Sequence, residues 1–392
     1  MSRSVTAIKL AVVLAFAAAG ASVPLLSRAQ QMEAPVYATS TPWRPNKPFD
    51  EAGYVGAPAC AGCHEQESKA QHATAMGRAL ETVAESRVLR ANPRMTFRFG
   101  PYTFQIERRG DQSIYSVTDG TRTVSEPILY SFGQGKAGQT YVYSRGGVFH
   151  ESRVSFYRDI GGLDFTIGYE RKVPPSLEEA LGRAISMDEA RSCFSCHSTA
   201  AVYGKNLQLD RLMPGVSCES CHGPGRDHVA AMEARQFADK KIFNPGRMGA
   251  DELTQEFCGS CHRSAESVMT LQHNGGINNV RFQPYRIFTS RGHDPNDDRL
   301  SCTACHDPHE NLQERAADYD PKCFACHQSE AARKSPRLAR AEREDGREAK
   351  PCPVAAKDCT TCHMPKVEIP GSHFKFTDHR IRIARPGEPF PN

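Results

Sequence analysis

The stretch from Val216 to His228, VSCESCHGPGRDH, decides how the rest of the chain is read. Two residues separate Cys218 from Cys221, His222 follows at once, and a further histidine, His228, comes after a Gly-Pro-Gly turn. The C-x-x-C-H pattern recurs at Cys60-Cys63-His64, Cys193-Cys196-His197, Cys258-Cys261-His262, Cys302-Cys305-His306, Cys323-Cys326-His327 and Cys359-Cys362-His363. Fifteen Cys and fifteen His scattered at random over 392 positions would give roughly 0.02 such matches. Chance is therefore excluded, and only Cys352 is left outside a motif.

The pattern is the attachment signature of c-type haem. Two thiols add to the porphyrin vinyl groups, and the adjacent imidazole becomes the proximal iron ligand. Zinc knuckles would need ligands grouped in fours, with no reason for a histidine after every second cysteine. A disulfide framework does not require that histidine either. The expected cofactor set is seven covalently bound haem c, with His64, His197, His222, His262, His306, His327 and His363 as proximal ligands.

The N-terminus fits an exported protein. Arg3 and Lys9 precede an apolar run from Leu10 to Leu26, and Ser27-Arg28-Ala29 offers a small-residue cleavage site. The expected organisation is a signal peptide at 1–29 and a Pro-rich linker at 30–50. A first haem-binding segment at 51–94, a β-domain at 95–170 and a hexahaem cytochrome domain at 171–392 follow. No later segment is long and apolar enough to span a bilayer, so no membrane span is expected after signal cleavage. A periplasmic or otherwise exported location in a bacterium suits the chemistry, because c-type haem is attached outside the cytoplasm.

Composition narrows the partners. The formal charge of +4 includes Arg3, Lys9 and Arg28 of the expected signal. Without them, and with two propionates on each ferric haem, the mature holoprotein carries about −6. A nucleic-acid-binding reading has nothing to stand on; redox partner proteins are expected instead. Hydrophobic residues make up 39% of the chain and there is a single Trp, so porphyrin is expected to take over part of the core.

Along the chain, Gln66 to Ala84 reads as a helix, with apolar positions at Ala70, Met76, Leu80 and Val83. Residues 96–107, 113–120, 140–157 and 163–169 alternate aromatic or β-branched residues with polar ones, the pattern of antiparallel strands. Arg145-Gly146-Gly147 marks a hairpin within Tyr141–Tyr157. Gly133-Gln-Gly135-Lys-Ala-Gly138 fits G-x-G-x-x-G, but a Thr-Tyr-Val-Tyr strand follows where a dinucleotide site needs a helix, so it reads as a turn. Ser176 and Glu179 form a capping box opening a helix through Arg191. Six motifs then crowd between Cys193 and His363. The highly charged residues 330–350 read as a solvated helix or loop. The fold class expected is a mainly α/irregular multihaem cytochrome c fold, short helices and loops around haems, with an inserted small antiparallel β-domain.

Eight histidines lie outside the motifs, against seven open axial positions. His72, His228, His273, His293, His309, His373 and His379 are the candidate distal ligands, with His150 in the hairpin as the spare. His309 lies three residues after His306, a span too short to carry the chain round a porphyrin, so any iron it meets is a neighbour's. The Gly223-Pro-Gly225 turn argues the same for His228. Met76 and Met364 are alternative sulfur ligands, more commonly packing residues. Cys352, between Pro351 and Pro353, has no disulfide partner.

The segments YVGAPACAGCHEQ (54–66), GVSCESCHGPGRDH (215–228), CTACHDPH (302–309), CTTCHMPK (359–366) and FTDHRIRI (376–383) resemble the multihaem cytochromes related to the cytochrome c-554 family. The similarity covers the first motif and nearly everything from Cys193 onward. It implies that His228 and His309 complete neighbouring haems. Because spare histidines outnumber the open axial positions, the expected function is electron transfer along closely spaced, mostly bis-His haems, with no catalytic residues. The alternative is a multihaem oxidoreductase with one open-site haem acting on a small nitrogen or sulfur compound. Cytochrome c nitrite reductases mark such a haem with C-x-x-C-K, and this chain has no such motif. A haem-based sensor would need a signalling domain, and none is visible.

Overall fold

A computed structural model describes residues 53–270, 276–327 and 354–391. The expected signal peptide and Pro-rich linker, His273, the charged segment 330–350 and Cys352 lie outside the described residues, as does the side chain of Cys326.

The largest element is an antiparallel sheet of nine strands. They are β1 (Leu80–Thr82), β2 (Arg94–Phe99), β3 (Tyr102–Arg109), β4 (Gln112–Thr118), β5 (Thr123–Phe132), β6 (Gln139–Arg145), β7 (Val148–Tyr157), β8 (Gly162–Phe165) and β9 (Gly182–Ala184). β2 to β8 run as a meander, each hydrogen-bonded to the next; β1 joins β5 and β9 joins β7. The sheet curls until β2 lies against β8, with the Phe97 and Phe165 rings 5.5 Å apart.

Strict alternation explains the regular strands. Tyr102, Phe104 and Ile106 of β3, and Tyr115 and Val117 of β4, all point inward and are buried. With Tyr141, Tyr143, Val154, Phe156 and Phe165 they form the main hydrophobic core, which the short helix Leu177–Leu181 caps through Leu177, Ala180 and Leu181. The hairpin falls where the double glycine placed it, Arg145 pairing with Val148. Residues 133–138 form the turn between β5 and β6, with no helix after them.

This sheet overturns the mainly α/irregular expectation. It is neither small nor inserted cleanly, because β1 comes from the first motif segment and β9 from the approach to the second. The helix expected over Gln66–Ala84 stops at His72. Thr74 Oγ1 donates to the Gln71 carbonyl (2.7 Å) and accepts from Gly77 N–H (2.9 Å), which turns the chain and frees Leu80 to pair with Phe132. The helix expected from Ser176 through Arg191 is likewise two helices with β9 between them. Ser176 caps Leu177–Leu181 and Ser186 caps Met187–His197, each side chain accepting from the backbone N–H three residues on. Gly182 allows the break: a Cβ there would lie 2.1 Å from the Glu151 carbonyl oxygen, so only glycine lets β9 approach β7.

Candidate functional site

Each C-x-x-C-H motif lies on or at the end of a short helix, among them Met187–His197, Cys218–His222, Asp320–His327 and Cys359–His363. One helical turn puts the cysteines at i and i+3 on one face with the histidine beside them, the local geometry that two thioether bonds and an axial ligand require. Ser301 caps the fifth motif's helix, accepting from Ala304 N–H at 3.3 Å.

Three motif histidines face a histidine from elsewhere in the chain. The ring centroids of His64 and His228 are 6.4 Å apart with planes 25° from parallel. His222 and His309 are 6.1 Å apart at 8°, and His306 and His379 are 6.2 Å apart at 49°. An iron–nitrogen bond of about 2 Å, with about 1.1 Å more to the ring centre, puts trans imidazoles on one iron roughly 6.2 Å apart. These are the residues that would hold a haem iron between them. Among the described residues no three His, Cys, Asp or Glu side chains converge to hold a bare ion.

The second ring nitrogen separates the candidates. A ligating histidine has its other nitrogen anchored, which sets the tautomer and ring orientation. His228 Nδ1 lies 2.6 Å from the Lys240 carbonyl, His379 Nδ1 3.0 Å from the Thr377 carbonyl and His309 Nδ1 3.0 Å from the Asp307 carboxylate. Each leaves Nε2 for the facing site. Among motif histidines, His197, His222 and His363 anchor Nδ1 on the carbonyls of Ala79, Phe243 and Arg382, each at 3.0 Å. His293 and His373 differ: Nε2 itself lies 3.0 Å from Asp251 and 2.8 Å from Asp164 respectively. His373 also lines an open cleft of about 420 Å³ with Lys366 and Lys375. The structure brings neither of these two against a motif histidine ring, nor His72. His150 stacks on Tyr143 with centroids 5.2 Å apart.

Burial disfavours the charged form of six of these imidazoles, and the neutral form is the one that binds iron. It lowers the pKa of His197, His222, His262, His306 and His327, and takes His379 down to about 4, where the Thr377 carbonyl opposes the shift and His306 and His262 add to it.

The motifs also meet one another. Cys60 lies beside Cys218, Cys196 beside Cys261, Cys258 beside Cys302 and Cys359 beside Cys323. The first motif therefore adjoins the third, the fourth adjoins the second and fifth, and the sixth adjoins the seventh. Cys221 lies near both Cys258 and Cys261, which links the third motif to the fourth. Tyr319 packs its ring on His306 at 5.6 Å, just before the helix of the sixth motif. All seven motifs form one connected set.

Carboxylates that sequence reasoning passed over fasten these contacts. Glu219, between the cysteines of the third motif and almost fully buried, accepts from the N–H groups of Val55 (2.9 Å), Gly56 (2.8 Å) and Gly225 (2.8 Å). Asp320 accepts from Asp358 N–H (2.7 Å) and Cys359 N–H (2.8 Å), tying the sixth motif to the start of the seventh. Nothing in the local pattern marks Glu219 or Asp320, since all their partners except Gly225 are distant in sequence. Asp307 alone carried a local signal, its place between two histidines.

Comparison with known proteins agrees with this chemistry. The family described as cytochrome c554 and c-prime matches residues 169–223, which hold the second and third motifs. Cytochrome c-554 of Nitrosomonas europaea is 28% identical over 107 residues, 24% of this chain and 46% of that protein. The chain thus matches less than half the length of that curated relative. Among solved structures, the outer cell wall cytochrome OcwA aligns over 54% of this chain and 37% of its own at a TM-score of 0.31 and 20% identity, too loose a likeness to assign a fold. By its motifs and by these matches, the chain is a c-type cytochrome with covalently bound haem c, related to the cytochrome c-554 family.

Proposed function

We propose that this protein is an exported heptahaem electron-transfer cytochrome, with haem c on all seven motifs and redox proteins as partners. The observation that carries the reading is the trio of facing histidines at 6.1–6.4 Å, His64/His228, His222/His309 and His306/His379. When bound, haem c supplies a one-electron iron couple whose potential the axial ligands and their hydrogen bonds tune. In this reading His228 and His309 ligate across motifs, so that each loop fastens the neighbouring group. The connected set of motifs supports one continuous array: the first, third, fourth and fifth in line, the second branching from the fourth, and the sixth and seventh beyond Tyr319. Among the described residues no helix is long and apolar enough to cross a membrane.

A second reading has its own support. Asp251 and Asp164 occupy the Nε2 atoms of His293 and His373, and among the described residues no non-motif histidine is in ring contact with His197, His262, His327 or His363. One of these four positions with a vacant sixth site would make the protein a multihaem oxidoreductase of a small nitrogen or sulfur compound. Pyridine haemochrome quantitation and EPR of the oxidised protein decide. Seven haems with only low-spin signals support the carrier, whereas a high-spin signal integrating to one haem favours the oxidoreductase. Fewer than seven haems would refute the heptahaem assignment.

A further inference from the structure

Arg286 and Asp378 form an ion pair with both side chains completely buried. Arg286 Nε and Nη2 donate to the two Asp378 carboxylate oxygens at 2.8 and 3.0 Å. Its remaining terminal nitrogen, Nη1, donates to the Pro391 carbonyl at 2.8 Å, and the guanidinium lies 4.4 Å from the centre of the Phe390 ring. One side chain therefore grips both ends of residues 378–391. Arg382 adds a second cation on Asp378 at 2.9 Å.

A buried pair of this kind is an expensive way to hold two segments together, since apolar side chains of similar volume do so at lower desolvation cost. A planar fork with donors on several edges does what they cannot, fixing both ends of a strap in direction as well as position. What the strap carries gives that precision a use. His379, next to Asp378, faces His306 at 6.2 Å. The Arg382 carbonyl receives His363 Nδ1 at 3.0 Å, Arg382 N–H returns to the His363 carbonyl and Ala384 N–H to that of Cys362. Ser290, just beyond the helix Gln283–Phe288 that bears Arg286, accepts from Ile381 N–H at 2.8 Å. The strap is thus shared between the fifth motif's distal side and the seventh motif's proximal side.

We propose that Arg286 is a positioning residue for two irons at once. Through Asp378 it holds His379 in place as the sixth ligand at the fifth motif, and through the strap it holds the carbonyl that orients His363 at the seventh. This rests on the reading of His379 as an axial ligand. Loosening the strap should open one axial site and disturb one further haem, leaving the other five unchanged.

The test uses the purified holoprotein with Arg286→Gln, Arg286→Lys and Asp378→Asn, beside His379→Ala. The readouts are haem count, carbon monoxide bound by the reduced protein per chain, and low-spin EPR intensity. The expected result is an unchanged haem count, a gain of one carbon-monoxide-reactive haem in Arg286→Gln and Asp378→Asn matching that of His379→Ala, and a shifted g value for one further haem. Arg286→Lys, which keeps the charge but loses the fork, should show a partial gain and decides the matter if the Gln variant does not accumulate. If His379→Ala gains no reactive haem, the ligand reading fails and this proposal falls with it. If His379→Ala gains one while the folded Arg286 and Asp378 variants gain none, the positioning role alone is overturned. It is equally overturned if only His379→Ala yields holoprotein, since Arg286 would then serve folding.

Discussion

His222 and His309 stand face to face, their ring centroids 6.1 Å apart and their planes within 8° of parallel, although one belongs to the third motif and the other follows the fifth. His309 also hydrogen-bonds Asp307 through Nδ1, which leaves Nε2 toward His222. The loop after one motif thereby reaches the site of another, and a substitution in that loop should be felt at the third motif rather than the fifth.

His309→Ala should leave the haem count unchanged, because every thioether cysteine remains, and should convert one low-spin haem to high-spin. His228→Ala and His379→Ala should each do the same at a different haem, and His150→Ala should do nothing to the spin state. EPR of the oxidised variants checks all four. A His309→Ala spectrum identical to that of the parent would refute the pairing.

Asp307→Asn should raise the midpoint potential of one haem. A carboxylate on Nδ1 makes the imidazole a stronger donor and stabilises the ferric state; an amide does so less. The residue is exposed and partly screened, so the rise should be on the order of tens of millivolts, a tenfold shift being about 59 mV for one electron. Potentiometric titration followed by EPR reads it. A fall, or a change spread over all haems, would contradict the assignment.

Glu219→Ala should loosen the join between the first and third motifs. Three backbone N–H groups lose their acceptor, at roughly 1–3 kcal/mol for each one left buried and unsatisfied. Thermal unfolding should move down, and hydrogen exchange should quicken first at Val55, Gly56 and Gly225. Haem attachment, which needs only the motif itself, should remain complete.

Gly182→Ala should cost about 1–3 kcal/mol, because the added methyl meets the Glu151 carbonyl and pushes β9 from β7. Denaturant unfolding measures the loss. An unchanged midpoint would mean that the two strands can separate without cost.

Without attached haem, the two halves should part company. The sheet has a large core of its own, with Phe104, Tyr115, Tyr141 and Val154 wholly buried. Beyond the third motif the described apolar cluster consists of Ala265, Val268 and Tyr285 with Phe282 beside them. Chain made in a compartment that does not attach haem should keep a protease-resistant fragment spanning about 80–184, while the region after it is digested. Equal resistance of the two regions would refute this.

How far the fold was legible depended on the strand. β3, β4, β6 and β7 could be read because their alternation is strict and glycine turns separate them. β5 escaped notice, since Pro127 and Glu126 interrupt its pattern and its register shifts between Ile128 and Tyr130. The sequence pattern reads β1 and β9 as helix, because three residues are too few to show a period and helix-forming neighbours surround them. Their strand character comes from Phe132 and Ser152 across the sheet. With them the sheet grew from an insert into the main element of the fold.

By itself the sequence determined the covalent chemistry: cysteines at i and i+3 with a histidine next to them specify haem attachment within a single helical turn, whatever the rest of the chain does. Which second histidine faces which motif was decided only by the tertiary structure. Opposing rings must come from segments far apart in sequence, and their approach depends on how the sheet, the buried carboxylates Glu219 and Asp320, and the strap held by Arg286 pack together. Nor could the sequence say that His293 and His373 turn Nε2 toward aspartates. Those contacts arise where Asp251 and Asp164 are brought alongside by folding, and residue spacing carries no record of such long-range contacts.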